Sequence, residues 1–521
     1  MAKINFFEKW VLKFKFKEKN TTRFLNLLAI SFIFLVIRYQ FKLIDFKEWG
    51  DESETIVVAK MMASGMRLYS EIYEPHAPLV YLPSVLLHKF LNLNLGIAGH
   101  RIIVIFFQWI SLVALYFSPL LKSKIISKIY LLISSVFIVI FLPRFYGHTY
   151  IFQTFAGLSL LIISAQYSFP SLVSVKLLNK YSVALGNFIL GCLPFIGISY
   201  LPISFLFFLG ALRKNYLTLS VIFFGLGISS CLAYLYYFCS WDGFYALHIY
   251  LNTKIMPNYY TNYYPNNLSE ILLNIARYST SNFAGVLSVF FLIFVFLNMY
   301  LKQKLFSWKY VLNFRFALMF IGIISLFLRG SGVHGLAYYY AILCLPAFFI
   351  YLRPIASKYS KSFLSAIFLF LIISSIKMSL LMSRDVNNFK DHKLNNSSEF
   401  SRIVKIMTIP TDRIIAYSWQ PYEYILSNRL PATASPAYFP WVKYYDEHPI
   451  KDIAFNTCQR FNIAKPKVVL IDNKNIRELF PWNTYGECID DILIKDYLII
   501  KEHIYLRKDL YLEYINLIKQ K

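Results

Sequence analysis

The stretch EWGDESETIVVAKMMASGMRLYSEIYEPHAPLVYLPS, Glu48 to Ser84, decides how the rest of the chain is read. It gathers Glu48, Asp51, Glu52, Glu54, Glu71 and Glu74 directly behind a hydrophobic run, in a chain that is otherwise apolar and basic. Within it, TIVVAKMMASGMRLY reads as an amphipathic helix too short and too polar to cross a bilayer. The adjoining PLVYLPSVLLHKFLNL reads as a helix skirting the membrane. Asp51 and Glu52 then stand at the outer end of the first span, beside elements lying along the interface.

Working outward, the 521 residues are 57% hydrophobic and 19% aromatic, with only 16% charged. A soluble chain would carry about a quarter charged residues. Several apolar runs approach the roughly 20 residues that span a bilayer. The expected fold is therefore a polytopic α-helical membrane protein of about eleven transmembrane helices, with a small C-terminal extracytoplasmic α/β domain. The formal net charge of +25 does not imply a nucleic-acid partner. Most Lys and Arg lie in short clusters between apolar segments, as the positive-inside rule requires. The basic, aromatic KWVLKFKFKEKNTTR at the N-terminus reads as a cytoplasmic interfacial helix.

Spans are expected near Phe24–Phe41, Arg101–Leu121, Ile125–Leu142, Tyr150–Tyr167, Leu217–Cys239, Phe283–Tyr300, Phe316–Leu328, Gly335–Tyr351 and Ser362–Met382. Val183–Gly210 is too long for one span and contains GISYLPIS, so it reads as two short helices. With the N-terminus inside, the clusters at Lys122/Lys124/Lys128, Lys176/Lys180, Arg213/Lys214, Lys302/Lys304/Lys309 and Arg353/Lys358/Lys361 all fall on the cytoplasmic side. The opposite side receives the acidic stretch, PRFYGHTY, the loop from Trp241 to Asn282, RGSGVHG and the tail. Residues 1–383 form the membrane part, with a first external loop at 42–100, and residues 384–521 the outer domain.

In that domain RIIAYSW (Arg413–Trp419) and KVVLID (Lys467–Asp472) read as buried strands, while PYEYILSN and HPIKDIAFNTCQRF have helical spacing. Of six cysteines, Cys192, Cys231, Cys239 and Cys344 lie in apolar segments, where packing is their expected role. Cys458 and Cys488 lie in the tail, and an oxidising compartment would let them pair as a disulfide.

The acidic stretch resembles the first external loop of the GT-C glycosyltransferases, which include the protein O-mannosyltransferases and the lipid A aminoarabinose transferase. The matching elements are Asp51-Glu52 after the first span, SGMRLY ending the helix, and HAPLVY. In the tail, IIAYSWQPYEYILSNRLPA is similar to the segment that follows the last span in many bacterial members. The resemblance implies a polyprenyl-phosphate-linked sugar donor, transfer to a lipid, glycan or protein acceptor with inversion, and a place in the bacterial inner (plasma) membrane with the active site outside.

A phosphate leaving group needs no general acid, so one carboxylate near the acceptor suffices as base. A hydrolase would need two opposed carboxylates. By the resemblance Asp51 is the base and Glu52 orients it or positions the substrates; Glu54, one turn on, is expected to matter little. Groups that stabilise the departing phosphate would be His76, standing where the family often has Lys, together with Arg329, His334 and Tyr338 of RGSGVHGLAYYY. Interfacial anchoring is the other reading of Arg329 and Tyr338. Arg144 and His148 replace the additional acid of many members and become candidate substrate-binding residues, as does Tyr263 in MPNYYTNYYPNN. No cofactor is implied, and neither zinc-type Cys/His spacing nor a glycine-rich phosphate loop stands out. Other functions compatible with the chain are a polytopic transporter or lipid flippase, although no paired halves are evident, and a non-catalytic envelope-assembly scaffold.

Overall fold

The computed structural model describes residues 18–48, 50–91, 95–121, 146–259, 313–326, 394–418, 421–472 and 480–519, with a few isolated positions between them. Among these the chain is mostly helical with a small sheet. Three helical segments are long and apolar enough to cross a bilayer: Ile97–Tyr116, Phe152–Val173 and Lys214–Phe238. The first long helix, Glu18–Ile44, exposes Leu27, Ile30, Phe34, Leu35 and Phe41 along its length. The expected spans at 283–300, 335–351 and 362–382 lie outside the described residues, as does more than half of that at 125–142.

Val183–Gly210 does break in two. Helix Lys180–Ile196 opens on a capping box in which Asn179 and Ser182 exchange side-chain and backbone hydrogen bonds. It stops at Gly197, and helix Leu201–Ala211 begins with Pro202 in its first turn. Helix Leu217–Phe238 packs tightly on Lys180–Ile196 through paired glycines. A Cβ at Gly191 would lie 2.4 Å from the Phe224 carbonyl oxygen, and one at Gly227 would lie 2.3 Å from that of Phe188. Small residues permit this backbone approach, the usual device of helix pairs in lipid.

The acidic stretch folds as helix Gly50–Ala63, a turn, a short 3-10 segment at Pro78–Tyr81 and helix Leu82–Phe90. Asp51 and Glu52 occupy the first turn of Gly50–Ala63, where carboxylates complement the helix dipole. The helix ends in a Schellman motif. Gly65, at φ 103°, donates to the Met62 carbonyl and Met66 to that of Met61. The expected amphipathic character is not what folds: Ile56, Val57, Val58, Ala59, Met61 and Met62 are buried, and so are Glu52, Ser53 and Thr55 on the other faces. The helix is enclosed by protein on most sides instead of lying on an interface. SGMRLY, expected as its continuation, is turn and extended chain.

In the tail a four-stranded sheet runs in the order β1 (Ile415–Tyr417), β2 (Val468–Ile471), β4 (Ile504–Arg507), β3 (Tyr497–Lys501). β1 and β2 pair in parallel, with Ile415 opposite Val469, and both are fully buried. These are the two strands expected from their apolar runs. PYEYILSN supplies helix Tyr422–Ser427, whereas only the end of HPIKDIAFNTCQRF is helical, as Thr457–Ala464. Positive φ at Lys451, Asp452 and Asn456 breaks the chain before it.

The tail closes directly over the acidic stretch. Tyr73, 2% exposed, packs edge-on against Tyr445 and Phe455, its N–H donates to the Ala434 carbonyl at 3.0 Å, and its hydroxyl donates to that of Trp441. Leu394 N–H donates to Asp45 O at 2.9 Å. One continuous apolar core runs from the helices through this loop into the sheet.

Candidate functional site

Adjacent positions Asp51 and Glu52 point in different directions, about 100° apart on a helix, and meet different surroundings. Glu52 is fully buried. Arg101, from helix Ile97–Tyr116, grips it through Nε to Oε1 at 3.0 Å and Nη2 to Oε2 at 2.6 Å. The backbone N–H of Tyr150 donates to the same Oε1 at 2.9 Å. The remaining Arg101 donors reach the carbonyls of Leu43, Ile44, Phe46 and Lys47, closing the C-terminus of helix Glu18–Ile44. Glu52 is therefore the centre of a clasp that joins the first helix, the acidic helix and the chain entering Phe152–Ile163.

Asp51 is half-buried, and its carboxylate makes no hydrogen bond among the described residues. Its carbonyl accepts from the Thr55 hydroxyl at 2.6 Å. One turn on, Glu54 shares its face. Within electrostatic reach of both are Glu74 and His76, carried by the extended segment after the Tyr69 turn. Glu74 is fully buried; its Oε1 accepts from the His76 backbone N–H at 2.9 Å and pairs with His76 Nδ1 at 2.5 Å. The Tyr81 hydroxyl lies beside the same carboxylate.

The electrostatics follow. Burial pushes the Glu54 carboxyl well above its ordinary value, and the charges of Glu74 and Asp51 push it further, against His76. Burial pulls the His76 imidazole down, but the charge and hydrogen bond of Glu74, backed by Glu54 and Asp51, overcome it and raise it to about 9. At neutral pH the cluster holds a cationic His76 among three acidic groups, one of which favours its proton.

Segment Glu74–Ala77 is fastened from a second side. The chain from Phe244 to Ile255 is a π-helix, a form often found at functional sites. Its His248 Nδ1 lies 2.8 Å from the Pro75 carbonyl, and Asn252 Nδ2 donates to that same oxygen at 2.7 Å. The Tyr69 hydroxyl donates to the His76 carbonyl at 2.6 Å. Tyr69 itself, at φ 70°, is wedged against Gly243, where a Cβ would lie 2.3 Å from the Tyr69 carbonyl oxygen. Arg67 anchors the start of the turn by donating to the Cys239 and Tyr236 carbonyls at the end of helix Leu217–Phe238.

Of the expected site residues, Asp51 and His76 come together; Glu52 turns away into its clasp. His148 is buried on the Glu52 side, its ring against Phe46 at 5.5 Å, with neither nitrogen hydrogen-bonded among the described residues. Burial and nearby Arg101 hold it well below its usual value, so it is neutral. Arg144, Tyr263, Arg329, His334 and Tyr338 lie outside the described residues. Cys458 and Cys488 form a disulfide, Cα atoms 6.1 Å apart.

Sequence reasoning missed Glu54 and Glu74 as members of the cluster and treated Glu54 as neutral ground. The i, i+3 spacing of Asp51 and Glu54 was the available signal for one of them. Nothing local marks Glu74, His248 or Asn252, which arrive through a turn and a helix about 170 residues downstream. Among the described residues no group of three or more His, Cys, Asp and Glu side chains has the arrangement to hold a metal ion.

No family model, no curated protein and no solved structure matches this chain.

Proposed function

We propose that the protein is an inverting membrane glycosyltransferase of the GT-C type, with about eleven spans, that moves a sugar from a polyprenyl-phosphate donor to an acceptor at the outer face of a bacterial inner membrane. The observation that carries this reading is the division between two neighbouring carboxylates. Glu52 is consumed by Arg101, whereas Asp51 is half-buried, unbonded among the described residues, and backed by Glu54, Glu74 and His76.

In the reaction, the acceptor hydroxyl or amine gives its proton to Asp51 as its oxygen or nitrogen bonds to the anomeric carbon. The bond from that carbon to the phosphate oxygen breaks, and polyprenyl phosphate departs with the electron pair. A single base is enough because the phosphate is already a good leaving group. His76, encircled by three acidic groups, is poorly suited to receive that phosphate. Its role in this reading is to balance the negative charge behind the base. The phosphate falls to Arg329, His334 and Tyr338, with Arg144 and Tyr263 near the sugar and His148 behind Glu52.

The test is Asp51→Asn in purified membranes supplied with a polyprenyl-phosphate sugar. Turnover should fall about 10²-fold or more, with KM little changed. Near-normal transfer by this variant would remove Asp51 as the base, and absence of transfer by the unaltered protein would favour a scaffold. Substrate movement across the membrane without transfer would favour a flippase.

A further inference from the structure

The helix bundle gathers positive charge at the end away from Asp51. Arg67, at the start of the Tyr69 turn, holds carbonyls at the C-terminal end of helix Leu217–Phe238, so the acidic cluster belongs to that end. The helix is 22 residues long and carries the chain about 33 Å to the other end.

Five cations lie there on neighbouring segments. Lys176 is in the 3-10 turn Val175–Leu177, and Lys180 opens helix Lys180–Ile196. Arg213 and Lys214 stand between helices Leu201–Ala211 and Leu217–Phe238, and Arg315 is in the first turn of helix Phe314–Ser325. Direct contacts bring these segments together. Arg213 Nη2 donates to the Ser171 carbonyl, and the Tyr216 hydroxyl donates to that of Leu178 at 3.3 Å. A Cβ on Gly210 would lie 2.9 Å from the Arg315 carbonyl oxygen. Lys176, Lys180 and Lys214 are exposed, while Arg213 and Arg315 are half-buried.

Nothing in these elements answers the charge. The sequence has no Asp or Glu between Glu74 and Asp242, and none between Glu270 and Asp385. None of the five cations takes part in an ion pair among the described residues. Three helices also begin at this end, and their dipoles add to the positive potential. The positive-inside rule places cations on one side of a membrane. It does not require that separate loops be packed into one acid-free cluster, where like charges repel.

A second, apolar feature adjoins the cluster. Tyr181 and Leu185 share one face of helix Lys180–Ile196 and are exposed, as are Leu217 and Val221 on helix Leu217–Phe238 and Phe314 beside Arg315. These faces start next to Lys180, Lys214 and Arg315 and lead along the helices away from them. Free phosphate would use only the cations. A molecule with an anionic head and hydrocarbon tails uses both features.

We propose that this end of the bundle binds the head group of an anionic phospholipid. The phosphate lies among Lys176, Lys180, Lys214 and the two arginines, and the acyl chains follow the Tyr181–Leu185 and Leu217–Val221 faces. Basic pockets between spans suit such head groups. The proposal does not depend on the transfer reaction, since the site lies at the opposite end of the bundle from Asp51 and is read by binding alone.

The experiment titrates the full-length, delipidated protein in detergent with dioctanoyl phosphatidylglycerol and counts bound ligand by native mass spectrometry. Binding should be saturable. Dioctanoyl phosphatidylcholine, with the same tails, and inorganic phosphate, with none, should each bind at least about tenfold more weakly. Lys176→Gln with Lys180→Gln and Lys214→Gln should weaken the phosphatidylglycerol about 100-fold, at roughly fivefold per lysine. Lys405→Gln with Lys495→Gln and Lys519→Gln removes the same charge from exposed positions in the tail and should leave binding nearly unchanged. The three site lysines are exposed, so thermal unfolding should not move; Lys214→Gln alone, with a loss of about fivefold, provides the second reading. Equal binding of the two lipids, phosphate binding as tight as that of phosphatidylglycerol, or equal losses in the two triple variants overturns the proposal.

Discussion

Arg101 meets Glu52 with two parallel hydrogen bonds inside the protein, both side chains being 1% exposed or less. This pair sits between four backbone carbonyls at the end of helix Glu18–Ile44 and the N–H of Tyr150, so it fixes where the acidic helix starts and which way Asp51 faces. Removing one partner of a buried pair leaves an uncompensated charge and costs about 3 to 5 kcal/mol. Glu52→Gln should accordingly lower the thermal unfolding midpoint in detergent by many degrees, while Asp51→Asn leaves it nearly unchanged. Replacing Glu52 and Arg101 together with leucine should recover part of the loss, because no lone charge remains. Equal stability of the Glu52 and Asp51 variants would contradict the division of roles between them.

Glu54 belongs to the same acidic cluster as Asp51, so it is no neutral comparator. Its carboxyl favours the protonated form through burial and the charges of Glu74 and Asp51. Glu54→Gln mimics that protonated form at every pH. It should change the pH dependence of transfer more than the rate at its optimum, with the limb governed by Glu54 disappearing. A pH–rate profile identical to that of the unaltered protein would detach Glu54 from the site.

His76 links pH to stability. Its folded-state value, raised to about 9 from 6.5, means that the folded protein holds a proton the unfolded chain releases. The stabilisation is fully present below about pH 6.5 and is lost as pH rises through about 9. At most it amounts to about 3 kcal/mol. Glu54, also raised, acts in the same direction. Thermal unfolding followed between pH 6 and 9.5 should show a falling midpoint that flattens in His76→Gln, a variant that cannot carry the charge.

How much of this was legible in the sequence differs from element to element. IIAY and KVVLI announce buried strands because an uninterrupted apolar run of that length has few other homes, and they pair as β1 and β2. The helix break at Gly197 is visible in GISYLPIS, since glycine and proline punctuate the chain. The burial of Gly50–Ala63 was not legible. Its carboxylates suggest a solvated face, yet Glu52 is neutralised by Arg101, 49 positions away, and no local pattern records that. His76 reads as a partner for phosphate until Glu74, two residues earlier, is seen to fold back onto it. Proximity across a turn depends on Tyr69 adopting positive φ and on Pro75 being held by His248 and Asn252, which are tertiary facts.

The disulfide tests both the C-terminal fold and its side of the membrane. Cys458 and Cys488 close a loop of 30 residues, and a cross-link of that span stabilises a fold by about 3.6 kcal/mol in the chain-entropy model. Reductant, or Cys458→Ser with Cys488→Ser, should lower the unfolding midpoint by several degrees. Such a bond persists only in an oxidising compartment. Intact cells treated with a membrane-impermeant reductant and then an impermeant maleimide should therefore label these two residues. Without reductant there should be no labelling at these positions. Among the described residues Cys192, Cys231 and Cys239 are also free, but Cys231 and Cys239 are buried and Cys192 faces Cys231 between helices Lys180–Ile196 and Leu217–Phe238, so they offer little to an aqueous reagent. Labelling of Cys458 and Cys488 only after the cells are opened would put the tail in the cytoplasm. Because Tyr73 locks the tail onto the segment that follows the Asp51 helix, the same result would carry Asp51 with it and reverse the proposed face of catalysis.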